Sequence, residues 1–164
     1  MSYGEDTLFN LEYFSRCDNL SILNEHCYNI YRERSDSLTQ RYNPNRLDNV
    51  LDVVSGIEKY IELSNEEQGK EFYKVYLNHM IACIDNVFNN DSILSCDEKR
   101  DFINRIMIEN TTQIALNSVT EMFSLSHKVM SYAYNKDKKE YIYKFFCLKK
   151  FILYIKNKLK RGRK

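Results

Sequence analysis

Four glycines and one proline in 164 residues leave this chain few places to turn sharply. Glycine supplies the positive φ angles of tight turns and proline presets others, so all-β and turn-rich folds need many of both. Doubly wound α/β folds need glycine-rich strand-to-helix turns, and none is visible. The expectation is a mainly α chain built from long, unbroken helices. Its length suits one ordinary domain, or a small piece with an appendage.

Apolar spacing divides the chain near residue 45. Glu5 and Asp6 stand where a helix would begin, Leu8, Phe9, Leu11, Tyr13 and Phe14 follow, and Cys17-Asp18-Asn19 ends it. Leu20–Leu23 and Cys27–Tyr31, around Asn24-Glu25-His26, read as a short β-hairpin. Arg32 to Asn45 reads as a polar loop. Asn43-Pro44 predicts the next helix start, with Asn capping and Pro in the first turn. Leu47, Val50, Val54, Ile57 and Ile61 then recur at three- and four-residue steps.

Ser64 with Glu67, and Ser95 with Glu98, have the spacing of a capping box. The first precedes a stripe at Phe72, Tyr76, Met80, Cys83 and Val87, stopped by Asn89-Asn90. The second precedes Phe102, Ile103, Ile106 and Met107. Residues 111–135 continue with weaker periodicity (Ile114, Leu116, Val119, Met122, Phe123, Leu125), and a last helix is predicted over residues 137–159. Residues 46–164 thus read as a bundle of about five helices.

Cysteine usage and charge narrow the setting. Cys17, Cys27, Cys83, Cys96 and Cys147 are odd in number and widely spaced, without a C-x-x-C pair. That pattern disfavours a disulfide framework or a zinc ribbon and suits reduced, mostly buried thiols in a cytoplasmic protein. The acidic N-terminus has no apolar run and is not expected to act as a signal peptide. No segment has the roughly 18 apolar residues of a membrane span. Net charge is +1, yet residues 136–164 carry +10 and residues 1–135 carry −9. So uneven a split predicts a separate electrostatic partner for the tail.

Residues 3–39 hold four short phrases in a fixed order: Gly4-Glu5-Asp6, Phe9-Asn10-Leu11, Tyr28-Asn29-Ile30-Tyr31-Arg32 and Ser37-Leu38-Thr39. Taken singly, a Glu-Asp pair before a helix is most often a cap, and Arg-x-Arg in a loop is a solvated pair. The combination resembles the second half of the catalytic domain of family 2 glycosyltransferases, enzymes of GT-A fold. The resemblance implies that residues 1–45 are the C-terminal remnant of such a domain and residues 46–164 a helical appendage.

The implied reaction is inverting transfer of a sugar from a nucleotide-sugar donor to a glycan or lipid-linked acceptor, as in bacterial surface-polysaccharide synthesis. Such transfer needs a base for the acceptor hydroxyl and positive charge or donors beside the leaving diphosphate. By resemblance Asp6 takes the base position with Glu5 beside it. Arg32, Arg34 and Ser37 lie near the donor diphosphate. The family's nucleotide-binding strands and D-x-D-type metal motif have no counterpart in the 164 residues. The complete enzyme would use manganese or magnesium, no metal is assigned to this chain, and the chain alone is expected to be inactive.

The tail has a pattern of its own. Tyr141, Phe145, Leu148, Ile152, Ile155 and Leu159 form a 4-3-4-3-4 seam, with further apolar residues and six lysines outside it. The seam is expected to pack on the bundle, leaving other aromatics and snorkelling lysines for an anionic membrane surface through residues 137–164. Each such cation contributes on the order of 1 kcal/mol there. A core helix ending in a solvated basic tail is an equal alternative. Nucleic acid is less favoured, because only the tail interleaves aromatics with basic residues. The competing class is a non-enzymatic interaction or homo-oligomerisation module, in which the thirteen tyrosines furnish the surface. His26, His79 and His127 are too dispersed to suggest a metal site, and His79 is expected to be a half-buried packing residue.

Overall fold

The computed structural model describes residues 5–19, 21, 41–61, 65–121 and 124–161. Among these residues there are seven α-helices and no strand: α1 (Glu5–Ser15), α2 (Arg46–Ile57), α3 (Glu66–Val87), α4 (Cys96–Ile108), α5 (Asn110–Ser118), α6 (Leu125–Asn135) and α7 (Glu140–Arg161). The mainly α expectation holds. The β-hairpin expected at Leu20–Leu23 and Cys27–Tyr31 falls, except for Ser21, outside the described residues.

α3 is the centre of the bundle and packs against α2, α4, α5 and α6. Its expected stripe of Phe72, Tyr76, Met80, Cys83 and Val87 is buried, and Leu77, Ile81 and Ile84 are buried beside it. That wide apolar arc is what lets one helix accept neighbours on several sides. The stripe of α2 is likewise buried at Leu47, Val50, Val54 and Ile57. Ile103, Ile106 and Met107 of α4, Ala115 and Leu116 of α5, and Met130 and Ala133 of α6 complete the core. Within it the Tyr76 hydroxyl and Thr112 Oγ1 share a hydrogen bond of 2.8 Å, so burial leaves neither group unsatisfied.

Several helix boundaries differ from the sequence reading, each for a local reason. Ile61 does not extend α2: the helix ends at Ile57, passes through a 3-10 turn at Glu58–Tyr60, and Ile61 is extended. Asn43 does not cap α2 either. Its Oδ1 accepts from the N–H of Asn45, which occupies the cap position without a side-chain bond. The α3 cap is Asn65, whose Oδ1 accepts from the N–H groups of Glu67 and Gln68, and not Ser64, which lies outside the described residues. The Ser95–Glu98 capping box is as expected, with Ser95 Oγ accepting at 3.2 Å and Glu98 Oε2 at 2.7 Å.

The weakly periodic stretch 111–135 resolves into two helices. Ser124 caps the second by accepting from the N–H of His127 at 3.1 Å. α7 begins three residues later than expected because Asp137 adopts a φ of 49°. The N–H of Lys138 bonds the carbonyl of Ala133 at 2.8 Å and that of Asp137 bonds Tyr134 at 3.1 Å. This is a Schellman closure of α6 with aspartate in the left-handed position, so the chain must leave the helix there.

The largest correction concerns the face of α7. The side chains it seats in the core are Ile142 and Phe146, not the expected seam. Of that seam only Phe145 packs partly against the core. Tyr141, Leu148, Ile152, Ile155 and Leu159 are exposed, Leu148 to 57 % and Ile152 to 54 %. A 4-3 repeat marks one face of a helix but does not say which apolar face meets the protein.

Candidate functional site

The residues expected to carry chemistry separate into two groups. Glu5 and Asp6 are the first two described residues of α1 (Glu5–Ser15). Asp6 is exposed, and the side chain of Glu5 is outside what the structure describes. Arg32, Arg34 and Ser37 lie outside the described residues altogether.

α1 is held by its inner face. Leu8 and Leu11 pack on the core while Phe9, Tyr13 and Phe14 are exposed. α1 lies against α2 and the 3-10 turn. Gly56 permits this approach: a Cβ there would sit 2.5 Å from Leu8 Cδ2. The helix carrying Asp6 is therefore seated on the bundle by a side chain entering a glycine gap.

A second site was not foreseen. A polar cleft of about 390 Å³ opens where the end of α3 meets α7, lined by Arg46, Asp85, Asn86, Asn89, Lys149 and Lys150. Asp85 holds Lys149 Nζ with both carboxylate oxygens, at 2.7 and 2.9 Å. Three cationic side chains against one carboxylate leave the cleft with a formal surplus of positive charge. Asn86 forms part of its wall, and its side chain bonds the backbone of Asn43 twice. Oδ1 accepts from the Asn43 N–H at 3.0 Å, and Nδ2 donates to the Asn43 carbonyl at 2.8 Å. Asn43, just before α2, is therefore tied to the end of α3 at this cleft. Its cations come from residues about a hundred positions apart in sequence, so no local motif signals them.

Arg46 also influences α3, where His79 and Cys83 lie one turn apart. Burial holds the His79 imidazole below its ordinary value, and the Arg46 charge adds to that. Burial pushes the Cys83 thiol up to about 11, against the opposing effect of Arg46. A nucleophilic Cys–His pair needs the opposite shift at sulfur; here burial of the Cys83 side chain favours the protonated thiol.

His127 is fully buried on α6, and burial alone lowers its basicity. Both histidines thus favour the neutral ring in the folded chain, and below their ordinary value of 6.5 the unfolded chain binds more protons. Stability is complete above that value and falls as pH drops below it. Chemical unfolding between about pH 7 and pH 5 is expected to show this fall, with a shallower slope in His127→Gln. A wild-type profile that stays level would contradict the neutral burial of these rings.

No family model, curated protein or solved structure matches this chain. What fold and site define together is an α-helical bundle with a seated N-terminal helix and a cationic cleft.

Proposed function

We propose that residues 1–45 belong to the C-terminal part of the catalytic domain of an inverting family 2 glycosyltransferase. The reaction is transfer of a sugar from a nucleotide sugar to a glycan or lipid-linked acceptor in bacterial surface-polysaccharide synthesis. The observation that supports this reading is that Asp6 is exposed on α1, which Leu8 anchors to the bundle. There Asp6 would take the proton of the acceptor hydroxyl as it attacks, beside the positive end of the helix dipole, with Glu5 next to it. By the resemblance, Arg32, Arg34 and Ser37 would face the leaving diphosphate.

The manganese or magnesium of that family is given no role in these residues. Among the described residues no three acidic, histidine or cysteine side chains converge to hold a metal. By the resemblance, donor and metal binding would fall to the family's nucleotide-binding strands and D-x-D-type motif. Calorimetry of the 164-residue chain with UDP- and GDP-sugars, with and without manganese, is expected to show no saturable heat. Tight donor binding would overturn that division. The DNA upstream of the Met1 codon tests the family itself: an in-frame alternating β/α region with a D-x-D motif supports it. A stop codon and ribosome-binding site directly before Met1 count against it.

The second reading is a non-enzymatic interaction module, favoured by one observation, the exposed apolar side of α7. In that reading Glu5 and Asp6 only cap α1.

A further inference from the structure

α7 has two apolar sides with different fates. Ile142 and Phe146 face the core, where Phe146 stacks on Phe88 with centroids 5.8 Å apart. At 3.6 residues per turn, Leu148, Phe151, Ile152, Ile155 and Leu159 fall within an arc of about 100°, centred about 150° away from the buried pair. All five are exposed, Phe151 to 60 % and Leu159 to 64 %. The stripe therefore lies on the far side of the helix from the bundle, with nothing of this chain's described residues over it.

Its charged borders restrict what can cover it. Lys156 and Lys158 flank the stripe on its two sides and are exposed. From Tyr141 to Lys164 there are seven Lys and two Arg and no acidic residue. Two copies packed stripe to stripe, in either direction, would bring lysine borders together, the reverse of the opposite-charge pairs that flank stable helix pairs. An apolar stripe bordered by lysines matches instead a surface with an apolar interior and anionic edges. Lysine stems lie along the apolar layer while their ammonium groups reach the anionic heads. No helix among the described residues is long and apolar enough to cross a membrane.

We infer that α7 docks lengthwise on an anionic lipid surface through Leu148, Phe151, Ile152, Ile155 and Leu159, with the bundle on the aqueous side. Ile142 and Phe146 stay in the core, so docking needs no unfolding. The inference rests on α7 alone. The donor experiment above can fail without affecting it, and the converse is equally true.

Flotation with phosphatidylcholine vesicles, with and without phosphatidylglycerol, tests it. The protein is expected to float with the anionic vesicles and to be released by salt. The chain has no tryptophan, so Phe151→Trp adds a single fluorophore whose emission is expected to shift to the blue on those vesicles. Ile152→Ser with Ile155→Ser is expected to weaken binding about tenfold while leaving thermal unfolding unchanged, because both side chains are exposed. Equal flotation with neutral vesicles, or none with either, would overturn the proposal. So would undiminished binding by the double variant, or a dimer in sedimentation that the same variant disperses.

Discussion

Phe146→Ala is expected to lower the unfolding free energy by about 3–5 kcal/mol, whereas Leu148→Ala and Ile152→Ala should each change it by less than about 0.5 kcal/mol. Phe146 is 1 % exposed. Its ring stacks on Phe88, meets Phe145 edge-on at 5.3 Å, and lies 5.1 Å from the Lys149 ammonium. Removing it leaves a cavity between α3 and α7 and strips Phe88 of its cover. Marginal stability of about 5–15 kcal/mol for a whole domain makes such a loss a large share of the total. Urea unfolding of the three variants decides the matter. Comparable losses at Phe146 and Leu148 would mean that the seam, and not the Ile142–Phe146 side, meets the bundle.

Cys83 should react with a thiol-alkylating reagent about a hundredfold more slowly than an unperturbed cysteine at pH 8. The thiolate is the reactive form, and a thiol raised to about 11 holds very little of it at that pH. Complete burial of the side chain adds a steric barrier. Cys17 and Cys96 are exposed and provide fast internal references. Mass spectrometry of pulse-alkylated peptides reads each rate, and urea should bring Cys83 to the rate of the others. Fast modification of Cys83 in the folded chain would contradict its place in the core.

Much of the fold was legible because it rests on local rules. The three- and four-residue spacing of Leu47 to Ile57 and of Phe72 to Val87 marked two buried faces, since no other apolar face on α2 competes and α3 is buried broadly. Ser95 and Glu98 announced α4 through reciprocal bonds that need only residues three apart. α7 was misread because it carries two apolar faces, and a repeat cannot say which one a bundle takes. Asn43 was misassigned because α2 starts two residues later, with Asn45 at the cap position, and the Asn43 side chain accepts from the Asn45 N–H instead. The cleft was out of reach altogether, since Arg46, Asp85 and Lys149 converge only through the packing of three helices.

Asp137 has a consequence for the whole of α7. Its left-handed backbone closes α6 and decides at which residue the next helix starts counting. Each residue added to or removed from that junction would rotate everything after it by about 100°. The same 22 residues could then turn their lysine-bordered stripe inward and carry Phe146 into water. One backbone angle thus sets the phase of a two-sided helix, and with it which side the protein shows to the outside.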